Sequence, residues 1–256
     1  MFEAFLENLP TLLPLLVFIF IAGFIDSIAG GGGLIALPAY AAAGLPMHAV
    51  LGSNKFSASL GMAFAVSVFW KNKRVYLRPI PLSIVCALIG SAIGAHIAMH
   101  TSDEFFRRML LIVVPIVAIF VMAKKNFGHT NEMHTLSERK VMIGSAIASF
   151  FIGGYDGFFG PGAGSFFIFT FTTLLKFDLV TASANGKIIN LSSGIGSLVV
   201  FLLNGQVFFL YAIPAAFAGI TGNVIGSNLA VKIGPKIIRP VFVLVLCILL
   251  FTILFR

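Results

Sequence analysis

The sequence predicts an all-α polytopic membrane protein, with about eight transmembrane helices in two homologous four-helix repeats, each repeat holding a glycine-rich loop and a short half-helix or re-entrant segment. Three observations carry this. Of 256 residues, 59% are apolar and 10% are Asp, Glu, Lys or Arg, against ~25% charged residues in a typical soluble domain. Residues 79–102, 188–231 and 240–255 contain no charged side chain, and apolar runs of ~18 or more residues read as membrane helices. The third observation is an internal duplication.

Taken in order, the spanning runs are about 9–29, 47–70, 78–100, 105–123, 138–159, 178–203, 207–231 and 236–255. Two further apolar pieces, Leu34–Gly44 and Ser165–Leu175, are eleven residues each. At ~1.5 Å per residue they are too short to span and read as half-helices or re-entrant segments. The longest polar stretch, Lys124 to Lys140, has seventeen residues, far below the ~50 of an independent domain. The N-terminus, MFEAFLENLP, has no Lys or Arg ahead of its first apolar run, so the first segment is expected to stay as a helix. Cys86 and Cys247 each stand alone in an apolar run, which indicates no disulfide and no Cys-based metal site.

Lys55, Val75, Gly90, Gly94, Ala98 and Arg107 recur as Lys187, Val207, Gly222, Gly226, Ala230 and Arg239, and Asp26 recurs as Asp156. Between 49–110 and 181–242 there are ten matches in 62 positions. The specific part is the matched Lys, Arg and Gly-x-x-x-Gly, with a glycine-rich loop ahead of each Lys. The halves are 1–123 and 138–256, joined by a cytoplasmic linker over 124–137. Four spans per half give both halves the same orientation; five would invert them. The same-orientation arrangement is the expectation. Counting Lys and Arg in the connections gives nine on one side and six, among them Lys176, Lys232 and Lys236, on the other, which places both termini in the cytoplasm. The net charge of +8 is explained by these connections, and nucleic-acid binding is excluded as a function.

Four groups of residues could carry chemistry. Gly31, Gly32 and Gly33 lie in one glycine loop, and Gly162 and Gly164 in its counterpart Gly160-Pro161-Gly162-Ala163-Gly164. Such loops bring backbone N–H groups and a helix N-terminus to an oxyanion, or serve simply as tight bends. Lys55 and Lys187 sit eight or nine residues inside apolar helices. A lysine there costs ~2.5–3.5 kcal/mol, so it faces a cavity or a counter-charge, unless it snorkels to an interface. Asp26 and Asp156 are proton-coupling groups or the lysines' ion-pair partners. Asn54, Ser57 and Asn190, at helical spacing around the lysines, offer hydrogen bonds to an anion. The Gly-x-x-x-Gly motifs read as packing motifs. His96–His100 has no counterpart in the second half, so no metal site and no cofactor is expected.

With these residues in view, the chain resembles the TauE/SafE (sulfite exporter-like) family of bacterial membrane permeases. The carrying motifs are Gly23-Phe-Ile-Asp-Ser-Ile-Ala-Gly-Gly-Gly-Gly, Gly52-Ser-Asn-Lys-Phe, Tyr155-Asp-Gly-Phe-Phe-Gly-Pro-Gly-Ala-Gly-Ser and Ala184-Asn-Gly-Lys-Ile-Ile-Asn. The resemblance covers essentially the whole chain. It implies a multi-pass transporter of the bacterial inner membrane that moves sulfite, organosulfonates or related small sulfur-containing anions. The expected function is a secondary carrier working by alternating access at the repeat interface, with an anion channel of the same architecture as the alternative. An intramembrane aspartyl protease using Asp26 and Asp156 is disfavoured, because each Asp precedes a Lys-bearing helix and Asp156 lies in Gly-Gly-Tyr-Asp. The expected partners are the small anion and the lipid bilayer, with a homo-oligomer allowed and no enzymatic activity.

Overall fold

The computed structural model describes residues 9–106, 108–109, 112, 132–234 and 236–237. Its helices are α1 (Leu9–Ala29), α2 (Gly33–Ala42), α3 (Met47–Lys71), α4 (Ile80–Met99), α5 (Glu138–Phe158), α6 (Ala163–Thr173), α7 (Leu179–Leu203) and α8 (Phe209–Ile233). Helices α1, α4, α5, α7 and α8 are long and apolar enough to cross a membrane. Helix α3 has 25 residues but carries Ser53, Asn54, Lys55 and Ser57 and falls outside that set. The spans expected over 105–123 and 236–255 fall outside the described residues save for isolated positions. Helices α2 and α6 have 10 and 11 residues, about half the ~20 that a bilayer requires.

Helix directions follow from which residues touch. Along α8, Gly219 lies against Ile19 of α1 and Ser57 of α3, and one turn on Asn223 lies against Gly23 and Gly61. Helices α1, α3 and α8 therefore run the same way. Helices α4, α5 and α7 form a second parallel trio, with Gly153 on Ala87, Gly157 on Ser91 and Gly196 on Leu88, while the Tyr76 N–H donates to Asn185. The trios are opposed: Gly52 meets Phe201, Ser59 meets Gly194 and Met62 meets Asn190, so α3 and α7 are antiparallel.

This overturns the expectation that both halves share one orientation. The half-helix and its turn carry the chain back, so that α1 and α3 run in parallel. The end of α4 and the start of α5 then lie at opposite ends of the bundle, since Glu138 at the start of α5 pairs with Arg78 at the start of α4. Buried apolar residues gather in two clusters. One holds Phe69, Phe171, Phe177 and Leu179, and the other holds Tyr40, Met47, Phe106 and Phe201. Phe69 and Phe201 correspond in the duplication, as do Met47 and Leu179, and each pair is divided between the two clusters.

The charge count changes with the directions. Lys71, Lys73, Arg74 and Arg78 lie at the end where α5 begins with Arg139 and Lys140. Lys176 joins them, reaching Thr135 ahead of α5, and so do Lys232 and Lys236, because Gly234 packs on Val180 at the start of α7. Among the described residues, Arg108 is the Lys or Arg at the other end. Leu12 and Leu15 of α1 pack at that second end with Met47 and Ala98. The positive-inside rule thus puts the start of α1 away from the cytoplasm, correcting the expectation that both termini lie inside.

The fourth helix of each half packs on the first helix of the other. A Cβ at Gly90 or Gly94 would overlap the carbonyls of Phe150 or Gly154, and one at Gly222 or Gly226 would overlap those of Phe20 or Phe24. The expected packing role of both Gly-x-x-x-Gly motifs is what the contacts show. Asp103 closes the second end by accepting from the Met47 N–H and pairing with His48 at 2.7 Å.

Two outcomes are expected. With Cys86 and Cys247 replaced by Ser, cysteines placed at Lys73 and Lys176 should react with a membrane-impermeant thiol reagent from the same side, and one at Asn204 from the opposite side; halves of one orientation would separate the first two. Gly94→Val should lower stability by ~1–3 kcal/mol or more, read as reduced folded yield and a lower Tm in detergent.

Candidate functional site

Both glycine loops bend where a side chain could not follow. Gly30, Gly160 and Gly162 have φ of 73°, 98° and 79°, a region L-residues rarely adopt. The loops then meet midway between the two apolar clusters. Gly30 lies against Gly164, and the Ser165 N–H and hydroxyl both donate to the Gly30 carbonyl at 2.6 Å. The Tyr155 hydroxyl fixes the second loop by donating to the Pro161 carbonyl at 2.6 Å.

Each lysine pairs with the aspartate of the other half. Lys55 Nζ is 2.7 Å from Asp156 Oδ1, with both side chains 7% exposed, and Lys187 Nζ is 2.6 Å from Asp26 Oδ2, with side chains 1% and 16% exposed. Ser193 donates its hydroxyl to Asp156 Oδ2 at 2.6 Å, and Gly32 donates its N–H to Asp26 Oδ1 at 3.1 Å. A carboxylate at the first turn of α2 also interacts favourably with the helix dipole. Of the alternatives left open for the lysines, neither reaches an interface; both are buried and counter-charged.

A cavity of about 60 Å³ lies beside these pairs, several times the ~10–15 Å³ that one water requires. Its wall includes Asn54, Lys55, Ser57, Asn190, Asp26, Asp156, Gly32, Gly33, Gly162 and Gly164. Lys187 and Gly31, expected at the same place, are not in that wall: Lys187 stands behind Asp26. The N–H of Gly32, expected to face a ligand, is taken by Asp26, and the start of α6 is capped by the Gly30 carbonyl.

Sequence reasoning missed Tyr40, Met62 and Asn223. Tyr40 donates to Ser57 at 2.9 Å and Ser57 donates to the Asn54 carbonyl, fixing the cavity's hydroxyl. Met62 and Asn223 line the wall. An Asn inside Gly222-x-x-x-Gly226 and a Tyr in an apolar half-helix were the available signals. The duplicated positions on the other trio hold larger side chains. Ser57 corresponds to Ile189, which is fully buried, and Ala36 to Phe166, which packs on Tyr155. Bulkier side chains stand where the first trio leaves space. No group of three or more His, Cys, Asp and Glu able to hold a metal occurs among the described residues.

The opposed helix trios, apolar exteriors and buried ionised centre define a polytopic helical membrane protein with a polar site at mid-depth. The profile of the sulfite exporter TauE/SafE family matches residues 15–253. The chain belongs to this family and is a membrane transporter. It is 36% identical over 237 residues to the probable membrane transporter protein YfcA of Escherichia coli K12, covering 92% of this chain and 87% of that protein. It is 35% identical over 230 residues to a probable membrane transporter protein of Haemophilus influenzae, covering 88% and 87%. With the probable membrane transporter protein YunE of Bacillus subtilis the identity is 27% over 180 residues, covering 63% and 66%. No solved structure matches the chain.

Breaking a buried pair leaves an uncompensated charge. Lys55→Met should therefore destabilise the protein by ~3–5 kcal/mol, while Lys55→Met with Asp156→Asn should recover most of that loss. Thermal unfolding of the four proteins of this cycle in one detergent checks it; a loss in the double variant equal to the sum of the two single losses would show the pair to be uncoupled.

Proposed function

We propose that this membrane transporter is a secondary carrier for small sulfur-containing anions such as sulfite or organosulfonates, working in the bacterial inner membrane by alternating access between two inverted repeats. The repeats are residues 1–123 and 138–256, with eight spans and the two half-helices between them, and 124–137 is the cytoplasmic linker. The observation that carries the reading is the Lys55 ammonium on the wall of a cavity where two glycine loops meet. Lys55 supplies the positive charge, Asn54, Ser57 and Asn190 supply hydrogen bonds, and the backbone of Gly33, Gly162 and Gly164 allows close approach. Lys187 contributes by holding Asp26 on the start of α2. A cavity of about 60 Å³ suits a compact oxyanion rather than a bulky solute. The family's name supports a sulfur oxyanion, and the paired clusters at the two ends support closure at each side in turn.

The test is counterflow in proteoliposomes. Preloaded sulfite should accelerate entry of labelled sulfite with saturation, and Lys55→Met in the Asp156→Asn background should fold yet reduce counterflow at least ~10-fold through loss of a charge-assisted contact. Flux that neither saturates nor shows counterflow would favour an anion channel of the same architecture. Full counterflow in the double variant would remove Lys55 from the site.

A further inference from the structure

The cavity wall presents one ammonium, Lys55, and two carboxylates, Asp26 and Asp156, with Lys187 behind Asp26. These four groups sum to zero charge, so a monovalent anion bound at Lys55 leaves the site with one uncompensated negative charge unless a carboxylate is neutralised. The anion must also draw Lys55 away from Asp156, leaving that carboxylate 7% exposed and held by Ser193 alone. A buried, unpaired carboxylate is strongly unfavourable. The two aspartates differ in how they could accept a proton. Asp26 receives a backbone N–H from Gly32, which can only donate and cannot accept from a protonated carboxyl. Asp156 receives the Ser193 hydroxyl, which has a second acceptor in the Asn190 carbonyl at 2.9 Å. When Ser193 donates to Asn190, its oxygen is free to accept from a protonated Asp156. The duplication puts Gly61 where Ser193 stands, so Asp26 has no such partner.

From this geometry we infer that Asp156 takes up one proton for each anion bound, with Ser193 as the positioning residue that accommodates both its states, while Asp26–Lys187 stays ionised as a fixed pair. This rests on the carrier reading above. The step balances simply. A proton from the aqueous phase bonds to an Asp156 carboxylate oxygen, its link to Lys55 opens, and the anion takes that place on the ammonium. Release reverses each move. The charged and titratable groups around Asp156 are Lys55 from α3, Tyr155 beside it on α5, and Asp26 with Lys187 across the cavity; the facing groups of α7 are the uncharged Ser193 and Asn190. A monovalent anion thus crosses with one proton and no net charge.

The probes are sulfite and methanesulfonate, the latter because it stays a monovalent anion throughout the working pH range. In proteoliposomes holding the whole protein, an inside-alkaline gradient should drive methanesulfonate accumulation with one proton entering per anion, unchanged when potassium and valinomycin clamp the membrane potential at zero or at a negative value. In Asp156→Asn, fixed in the neutral state, gradient-driven accumulation should fall at least ~10-fold further than counterflow does, because no proton travels with the anion. Ser193→Ala should shift the pH profile of accumulation without a matching loss of counterflow, and Ser193→Thr should restore the profile. Gradient-driven accumulation that persists in Asp156→Asn, or net wild-type uptake of methanesulfonate without proton entry, overturns the inference and leaves the carrier reading standing. Absence of wild-type counterflow with both probes overturns both.

Discussion

The structure depends on two crossed ion pairs placed where a bilayer offers no water. Each half carries a lysine whose counter-charge belongs to the other half, Lys55 with Asp156 and Lys187 with Asp26. In a medium of low dielectric an unpaired charge is far costlier than in water, so neither half has a satisfied centre by itself. The same crossing governs the apolar packing, because α4 lies on α5 and α8 on α1 through glycines that admit no side chain. The halves are interlaced rather than juxtaposed.

Duplication gives symmetry, and the substitutions since have removed it at one place. On one trio, Ala36 and Ser57 leave a cavity; on the other, Phe166 and Ile189 stand at the corresponding positions. The carboxylates have diverged in the same sense, Asp156 beside a hydroxyl and Asp26 beside a backbone N–H. One copy of an ancestral centre has therefore become a polar chamber and the other a packed ionic anchor. The asymmetry is chemical as well as steric, and it explains why Lys187, equal to Lys55 in sequence pattern, lies outside the cavity wall.

Much of this was legible beforehand because membrane burial makes polar residues informative. Six of the eight helix runs, the two half-helices, the glycine loops and the Lys–Asp set follow from apolar runs and from residues that are expensive in apolar surroundings and must have partners. Direction was not legible. Whether Leu34–Gly44 counts as a crossing decides between shared and opposite orientations, and the segment's length is ambiguous: α2 covers half the depth and its turn completes the return. That one ambiguity also misassigned Lys176, Lys232 and Lys236 and weakened a charge bias which the helix directions make strong. Tyr40 and Asn223 were missed for a different reason, since what brings them to the wall is cross-half packing, on which local periodicity is silent.

On the proposed carrier reading, an inverted arrangement also answers how one sequence could supply two gates. A carrier needs closures of similar strength at both ends, because a ligand can redistribute two states only by its differential affinity for them. Here the equivalent residues Phe69 and Phe201 are both fully buried, one in each terminal cluster, and Met47 and Leu179 are divided the same way. Two closures built from matched apolar residues start near balance without further tuning. The features that break the balance are few and local: Asp103 with His48 ties α3 to the end of α4, whereas α7 begins on its own cap, Asp178, which accepts from the Val180 and Thr181 N–H groups. Both ends are also tied between separate segments, the second by Arg78 with Glu138 and by the Tyr76 N–H on Asn185. Opening either end therefore separates polar contacts between segments.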